Sequence, residues 1–266
     1  MRQFLQENPV RLKLAQGEPA VGGWVTFCSP EAAESLATVG FDWVSVDAEH
    51  SPVGFETLTN CFRAIQLAGS VPMARVPWND TVWIQRTLDA GAMGLIIPMV
   101  NSADDAARAV SNARYATRGQ RSSGGSRLRP YVQERWEDWS DRNILCIPMI
   151  ETITAVEHVE EILSVEGVGA CFVGPRDLGL SMGVADDDTG PGTEHEAAIM
   201  RVLEVGRSLG VPVGKHCFDA HEVRLRIKQG WQFLALASDV RFMQAAAQAA
   251  LGSLSLADDT ESKDLY

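Results

Sequence analysis

Cysteine is scarce and unpaired in this 266-residue chain. The five (Cys28, Cys61, Cys146, Cys171 and Cys217) are odd in number and form no CxxC pair. That leaves no basis for a disulfide framework, a cysteine zinc site or a thioredoxin-type motif. Most stand inside apolar runs and read as buried free thiols. No apolar run reaches the roughly 18 residues of a membrane-spanning helix. The opening, Met1 to Val10, lacks the apolar core of a signal peptide, so the cytosol is the expected compartment. Positive charge is in deficit: 23 Lys and Arg face 35 Asp and Glu, a net −12. This excludes nucleic acid or an anionic membrane as the main partner, though not a small anion held in a locally positive site. No G-x-G-x-x-G follows the first strand-like run, which argues against a dinucleotide-binding sheet. The run Ser122-Ser-Gly-Gly125 lacks the lysine of a phosphate loop and reads as a flexible loop.

What is present is 45% apolar residues, enough for a sizeable core. Short apolar runs alternate with helix-like segments. The strand-like runs are 20–27, 42–46, 71–76, 93–100, 144–150, 168–174, 211–217 and 232–237. Helix-like segments follow each, the first at 30–39 with Ser29 as its N-cap. Eight strand–helix pairs in this length predict a (β/α)8 barrel, with a doubly wound open sheet as the alternative. With no evident linker, the barrel is expected to occupy 1–256. The acidic stretch Ala257 to Tyr266 reads as a frayed, disordered tail. One insertion, Arg118 to Asn143, breaks the rhythm and reads as a lid or a subunit contact.

Candidate chemistry gathers at strand ends. Glu151 follows the fifth run and Asp177 the sixth. Parallel neighbours deliver both carboxylates to the C-terminal edge of the sheet. Two hard oxygen ligands there suit Mg²⁺ or Mn²⁺; the alternative is one solvated acid and one helix cap. Asp47-Ala-Glu-His50 follows the second strand, where an acid can orient His50 as a general base. Arg75 ends the third strand and seeks an anion, or else an ion pair with Asp89 on the next helix. The backbone N–H groups of Arg176 and Asp177 open a helix and can face an anion. Alternation on the seventh strand sends His216 inward and Lys215 outward. His158, His195 and His221 fall in helix-like segments and read as surface residues.

Taken together, these pieces resemble the HpcH/HpaI aldolase family, the metal-dependent class II pyruvate aldolases. The matching motifs are Phe41-Asp-Trp-Val-Ser-Val-Asp-Ala-Glu-His50, Arg75-Val-Pro-Trp-Asn-Asp80, Pro148-Met-Ile-Glu151-Thr and Phe172-Val-Gly-Pro-Arg-Asp177-Leu. They occur in family order within roughly residues 5 to 252. The resemblance implies a barrel of the phosphoenolpyruvate/pyruvate-binding type and a divalent metal on Glu151 and Asp177, with Mg²⁺, Mn²⁺ or Co²⁺ as the candidates. It implies that a 2-oxo acid such as pyruvate or hydroxypyruvate adds reversibly to an aldehyde through an enolate. His50, paired with Asp47, would move protons through a metal-bound water. Arg75 would stabilise the enolate, with Asp89 orienting it and Glu49 in a supporting position. Trp24, Gly174, Pro175, Arg176, Ser126 and His216 complete the implied substrate contacts. It also implies a homo-hexamer, a trimer of dimers with the last helix exchanged.

Three positions depart from that pattern: Gly119-Gln-Arg121-Ser122-Ser in the long loop, His216, and Arg176 before the aspartate. All lie where substrate would be read, and they favour a smaller or more hydroxylated partner than a long diacid. Competing readings are a citramalyl- or malyl-CoA-type lyase, with Arg118, Arg121, Arg127 and Arg129 as a phosphate track, and a non-catalytic metabolite-binding barrel. A Schiff-base aldolase on Lys215 is a third.

Overall fold

The computed structural model describes residues 7–184 and 190–255, so the expected tail at 257–266 lies outside the described residues. Eight parallel strands close into one barrel in chain order. They are β1 Ala20–Val25, β2 Trp43–Asp47, β3 Val71–Arg75, β4 Gly94–Ile97, β5 Leu145–Ile150, β6 Cys171–Val173, β7 Val213–Cys217 and β8 Phe233–Leu236. Each lies within or one residue beyond its sequence-derived run, because a strand buried on both faces is predominantly apolar. Pairing of Ala20 with Phe233 and of Val21 with Leu234 seals the ring.

Helices form the outer layer: α1 Pro9–Ala15, α2 Pro30–Ala37, α3 Phe55–Ala68, α4 Thr81–Ala90, α5 Ala103–Ala113 and α6 Trp136–Asn143. Then come α7 Ile153–Glu157, α8 Val159–Leu163, α9 Pro175–Met182, α10 Glu194–Leu209, α11 Ala220–Gln229 and α12 Asp239–Ser255. Ser29 caps α2 as expected, its hydroxyl accepting from Ala32 N–H at 3.1 Å. On α3, Leu58, Phe62 and Ile65 recur at helical spacing and all are fully buried against the barrel wall.

Inside the barrel the side chains are large. Trp43 stacks on Phe233 at 4.3 Å, Phe233 meets Phe172 edge-on at 5.9 Å, and Phe172 stacks on Trp24 at 5.7 Å. This aromatic column fills the interior up to the mouth. Gly22 makes room for it: a Cβ there would sit 2.0 Å from the Trp43 ring.

The base is plugged by α1. Its cap, Asn8, is fully buried and donates to the carbonyls of Met93 at 3.1 Å and Asn143 at 2.8 Å. The insertion between α5 and β5 belongs to this end, not to the mouth. It follows a helix, so it returns along the N-terminal rim. Trp136 and Trp139 are buried there, stacked at 5.0 Å, and Trp136 donates to the Tyr115 hydroxyl at 2.8 Å. The expectation of a lid is therefore corrected.

The last helix behaves differently from the others. Every residue from Arg241 to Leu254 is exposed, so α12 stands off its own barrel. Only its start is anchored, where Asp239 accepts from Thr26 and Phe27 of the segment after β1.

Candidate active site at the barrel mouth

A cavity of about 740 Å³ opens at the C-terminal rim. Asp47 and Arg75 stand side by side on its wall because they are register partners on β2 and β3. The carboxylate takes the guanidinium as a fork, Nε to Oδ1 at 2.9 Å and Nη2 to Oδ2 at 2.7 Å. Asp47 Oδ1 also accepts from the backbone N–H of Glu49 at 3.1 Å and of His50 at 3.4 Å. Burial alone would raise the Asp47 carboxyl, but the Arg75 fork and these amides outweigh it and hold it below the usual range. Arg75 lies 5.3 Å from the Trp24 ring centroid, and Glu49 sits 2.9 Å from Arg75 Nη1 as an ion pair without an aligned hydrogen bond.

Two expected pairings are corrected. Asp47 does not hold the His50 ring, since Arg75 and the turn amides occupy both its oxygens. The ring instead lies 3.7 Å from Glu49 Oε2, with its side chain 65% exposed. Asp89 does not orient Arg75. It stands near the C-terminal end of α4, at the base, and pairs with the buried Arg121 at 2.7 Å.

Glu151 ends β5 and is buried, its Oε1 accepting from Met99 N–H at 2.7 Å. Met99 adopts a left-handed conformation, φ 56°, which no sequence pattern announces. Burial, reinforced by the like charges of Glu49 and Asp177, pushes Glu151 up to about 7. Gly174, Pro175, Arg176 and Asp177 line the cavity where β6 turns into α9. Gly174 offers no side-chain cap, which leaves the first-turn amides for a ligand. A Cβ at Gly174 would fall 2.8 Å from Glu151 Oε2, so glycine keeps that carboxylate's flank open.

His216 lines the cavity as expected, its ring 6.1 Å from Trp24 and 5.5 Å from Phe218. Burial holds it neutral, down to about 4. Lys215 points out of the barrel, buried and paired with Glu222 on α11. His195 is corrected from surface to buried: its Nε2 meets the Pro175 carbonyl at 2.7 Å and steadies the start of α9. Ser126 is not at the mouth; it lines a separate groove on the outer wall. Arg121 and Arg127 are tied to the end of α4, Arg121 by Asp89 and Arg127 by the Ala90 carbonyl. None of the four loop arginines lines the mouth cavity, so they offer no phosphate track beside Glu151.

A divalent cation fits the donor set. Glu151 is buried and Asp177 stands exposed at the rim; the like charge of Asp177 adds to the strain on the Glu151 carboxylate, and a cation between them would offset it. Among the described residues no three acidic, histidine or cysteine side chains form a ready-made cage. Two carboxylates nonetheless suit Mg²⁺, which keeps part of its water shell for substrate to displace.

A closed barrel whose C-terminal mouth gathers Asp47, Glu49, Glu151 and Asp177 around Arg75 defines a (β/α)8 enzyme. A family model described as HpcH/HpaI aldolase/citrate lyase matches residues 21–246. A hydroxypyruvate/pyruvate aldolase of Rhizorhabdus wittichii is 35% identical over 241 residues, covering 91% of this chain and 96% of the relative. A 4-hydroxy-2-oxo-heptane-1,7-dioate aldolase of Shigella sonnei is 34% identical over 248 residues, covering 91% and 93%. The crystal structure of a family protein from Burkholderia cenocepacia J2315 superposes with a TM-score of 0.87 at 33% identity, covering 93% of this chain and 99% of its own. The chain belongs to the HpcH/HpaI aldolase/citrate lyase family. It is a carbon–carbon lyase.

Proposed function

We propose that the protein catalyses reversible aldol addition and cleavage between a pyruvate-type 2-oxo acid and an aldehyde. The observation that carries this is the convergence of Glu151 and Asp177 beside the first turn of α9, with the Arg75 fork at the same mouth. Glu151 and Asp177 would hold a divalent cation, which would supply Lewis acidity toward the keto oxygen. The amides of Arg176 and Asp177 receive the substrate carboxylate. Arg75, fixed by Asp47, meets the charge that develops on the enolate oxygen. His50, open to solvent beside Glu49, carries the proton.

The acceptor is a small or hydroxylated aldehyde. His216 offers a neutral ring nitrogen where an apolar side chain would favour an aliphatic tail. The CoA-lyase reading loses its footing with the arginines away from the mouth cavity.

The chain also assembles with copies of itself, and α12 packs on a partner's barrel. This is supported by the exposure of Phe242 at 37% and Met243 at 56% on a helix that leaves its own wall bare. A hexamer built as a trimer of dimers is the arrangement proposed. The compartment proposed is the cytosol; among the described residues no helix is long and apolar enough to cross a membrane.

The deciding experiment is donor-proton exchange in D₂O, followed by NMR with pyruvate and with hydroxypyruvate. Metal-stripped protein should be silent and Mg²⁺ should restore exchange. Exchange without metal would point to Lys215 and a Schiff base. Silence with both donors and metal present would sink the aldolase reading in favour of a binding barrel.

A further inference from the structure

His195, Glu196 and Arg226 line the mouth cavity, yet the aldol chemistry gives none of them a part. His195 stands in the first turn of α10 and is only 4% exposed. Its Nε2 lies 2.7 Å from the Pro175 carbonyl, which can only accept, so Nε2 carries the proton and Nδ1 is the bare nitrogen. Among the described residues that bare nitrogen has no hydrogen-bond partner. An apolar ring would fill the same space without burying an unsatisfied acceptor. What a histidine adds at this position is the bond to Pro175.

That bond falls on a turn that cannot be held in the usual way. Helices α2, α4, α10 and α11 are capped by the side chains of Ser29, Asp80, Thr193 and Asp219, each accepting from a first-turn amide. The cap position of α9 is Gly174, which has no side chain to do so. A capping side chain would also occupy the amides of Arg176 and Asp177, the donors offered to the substrate carboxylate. Among the described residues, His195 makes the one side-chain hydrogen bond to the backbone of this turn. It takes a carbonyl and leaves the N–H groups free.

His195 is itself held. The Thr193 hydroxyl accepts from Glu196 N–H at 3.2 Å. Glu196 takes the buried Arg226 of α11 as a fork, Nη2 to Oε2 at 2.9 Å with Nη1 on Oε1 beside it. Arg226 Nε lies 3.6 Å from Glu222, which takes Lys215 of β7 and accepts from Phe218 N–H at 3.0 Å. A brace of paired charge thus runs from the β7 wall to the first turn of α9.

We propose that His195 is a positioning residue for the 2-oxo acid: acting through Pro175, it fixes the turn whose amides grip the donor carboxylate. The inference rests on the aldolase reading for the choice of pyruvate as the anion.

The test is calorimetric titration of the full chain with pyruvate at saturating Mn²⁺. Saturable binding is expected for the wild type. His195→Ala should bind pyruvate about tenfold more weakly, about what one hydrogen bond contributes. His195→Gln, which returns an N–H donor at similar reach, should lie within about threefold of the wild type. In the D₂O exchange assay the half-saturating pyruvate concentration should rise in the same proportion in His195→Ala, while the maximal rate changes by less than about threefold. A histidine with a structural role alone would lower the melting temperature and leave pyruvate affinity intact, and that outcome would overturn the proposal. So would equal weakening in His195→Gln, or no pyruvate binding by the wild type. Binding that depends on His195 without any exchange in the wild type would sink the aldolase reading alone and bear out the positioning role.

Discussion

Arg75 shows how far a single residue can be read from sequence and where that stops. Its place at a strand end announced an anion partner, and it does hold one. The partner was misassigned because two candidate acids differ only in where the fold puts them. Asp47 shares its register across β2 and β3, while Asp89 is carried away to the base by α4. The fork makes a sharp prediction. Arg75→Lys keeps the charge but loses the paired donors, and kcat/KM should fall by about 10²- to 10³-fold in steady-state assays. A fall under about threefold would mean that charge alone suffices. Gly174→Ala tests the opposite side of the site. The added Cβ would meet Glu151 Oε2 at 2.8 Å and Glu151 Cβ at 2.9 Å, both too close. Manganese affinity measured by calorimetry should drop at least about tenfold, and unchanged affinity would remove Glu151 from the ligand set.

At the scale of elements, apolar runs located all eight strands, because burial on both faces favours apolar residues and confines the polar ones mostly to strand ends. Helices were read less sharply. The helix-like segment after the fifth run is interrupted at His158 and divided between α7 and α8. Connections were hardest, since they are set by long-range bonds. The insertion at 118–143 was placed at the wrong rim, and Met99 gave no signal because it contributes a backbone N–H. Asp239 is another such device: it accepts from Thr26 N–H at 3.0 Å, Phe27 N–H at 3.1 Å and the Thr26 hydroxyl at 2.7 Å. Asp239→Ala strips these donors of their acceptor. Stability should fall by about 2 kcal/mol, a drop in Tm of roughly 4–8 °C by calorimetry. No drop would show that water replaces the carboxylate freely.

For the whole molecule, acid should reveal His216. Its folded pKa of about 4 lies below the ordinary histidine value of 6.5, so it binds its proton more readily when unfolded. The associated stability is complete above pH ~6.5 and is lost as pH falls toward about 4. It amounts to about 3 kcal/mol. Denaturant titrations at pH 7 and pH 4.5 should therefore show a loss that His216→Leu reduces. An identical loss in that variant would place the acid sensitivity elsewhere. The same variant should shift acceptor preference toward aliphatic aldehydes. The helix that stands off the barrel makes a second prediction at this scale. Full-length protein should scatter light as an assembly well above 28.9 kDa. A chain ending at Val240 should run as a monomer; a monomeric full-length protein would refute the exchange of α12.

The position of the insertion has an evolutionary reading. Tyr115, Arg121, Trp136 and Trp139 form a small structure of their own at the foot of the barrel, a full strand's length from the mouth carboxylates. Heritable variation in that segment can therefore accumulate without disturbing bond-making at the other end. Two lineages could diverge in what they touch while conserving what they do.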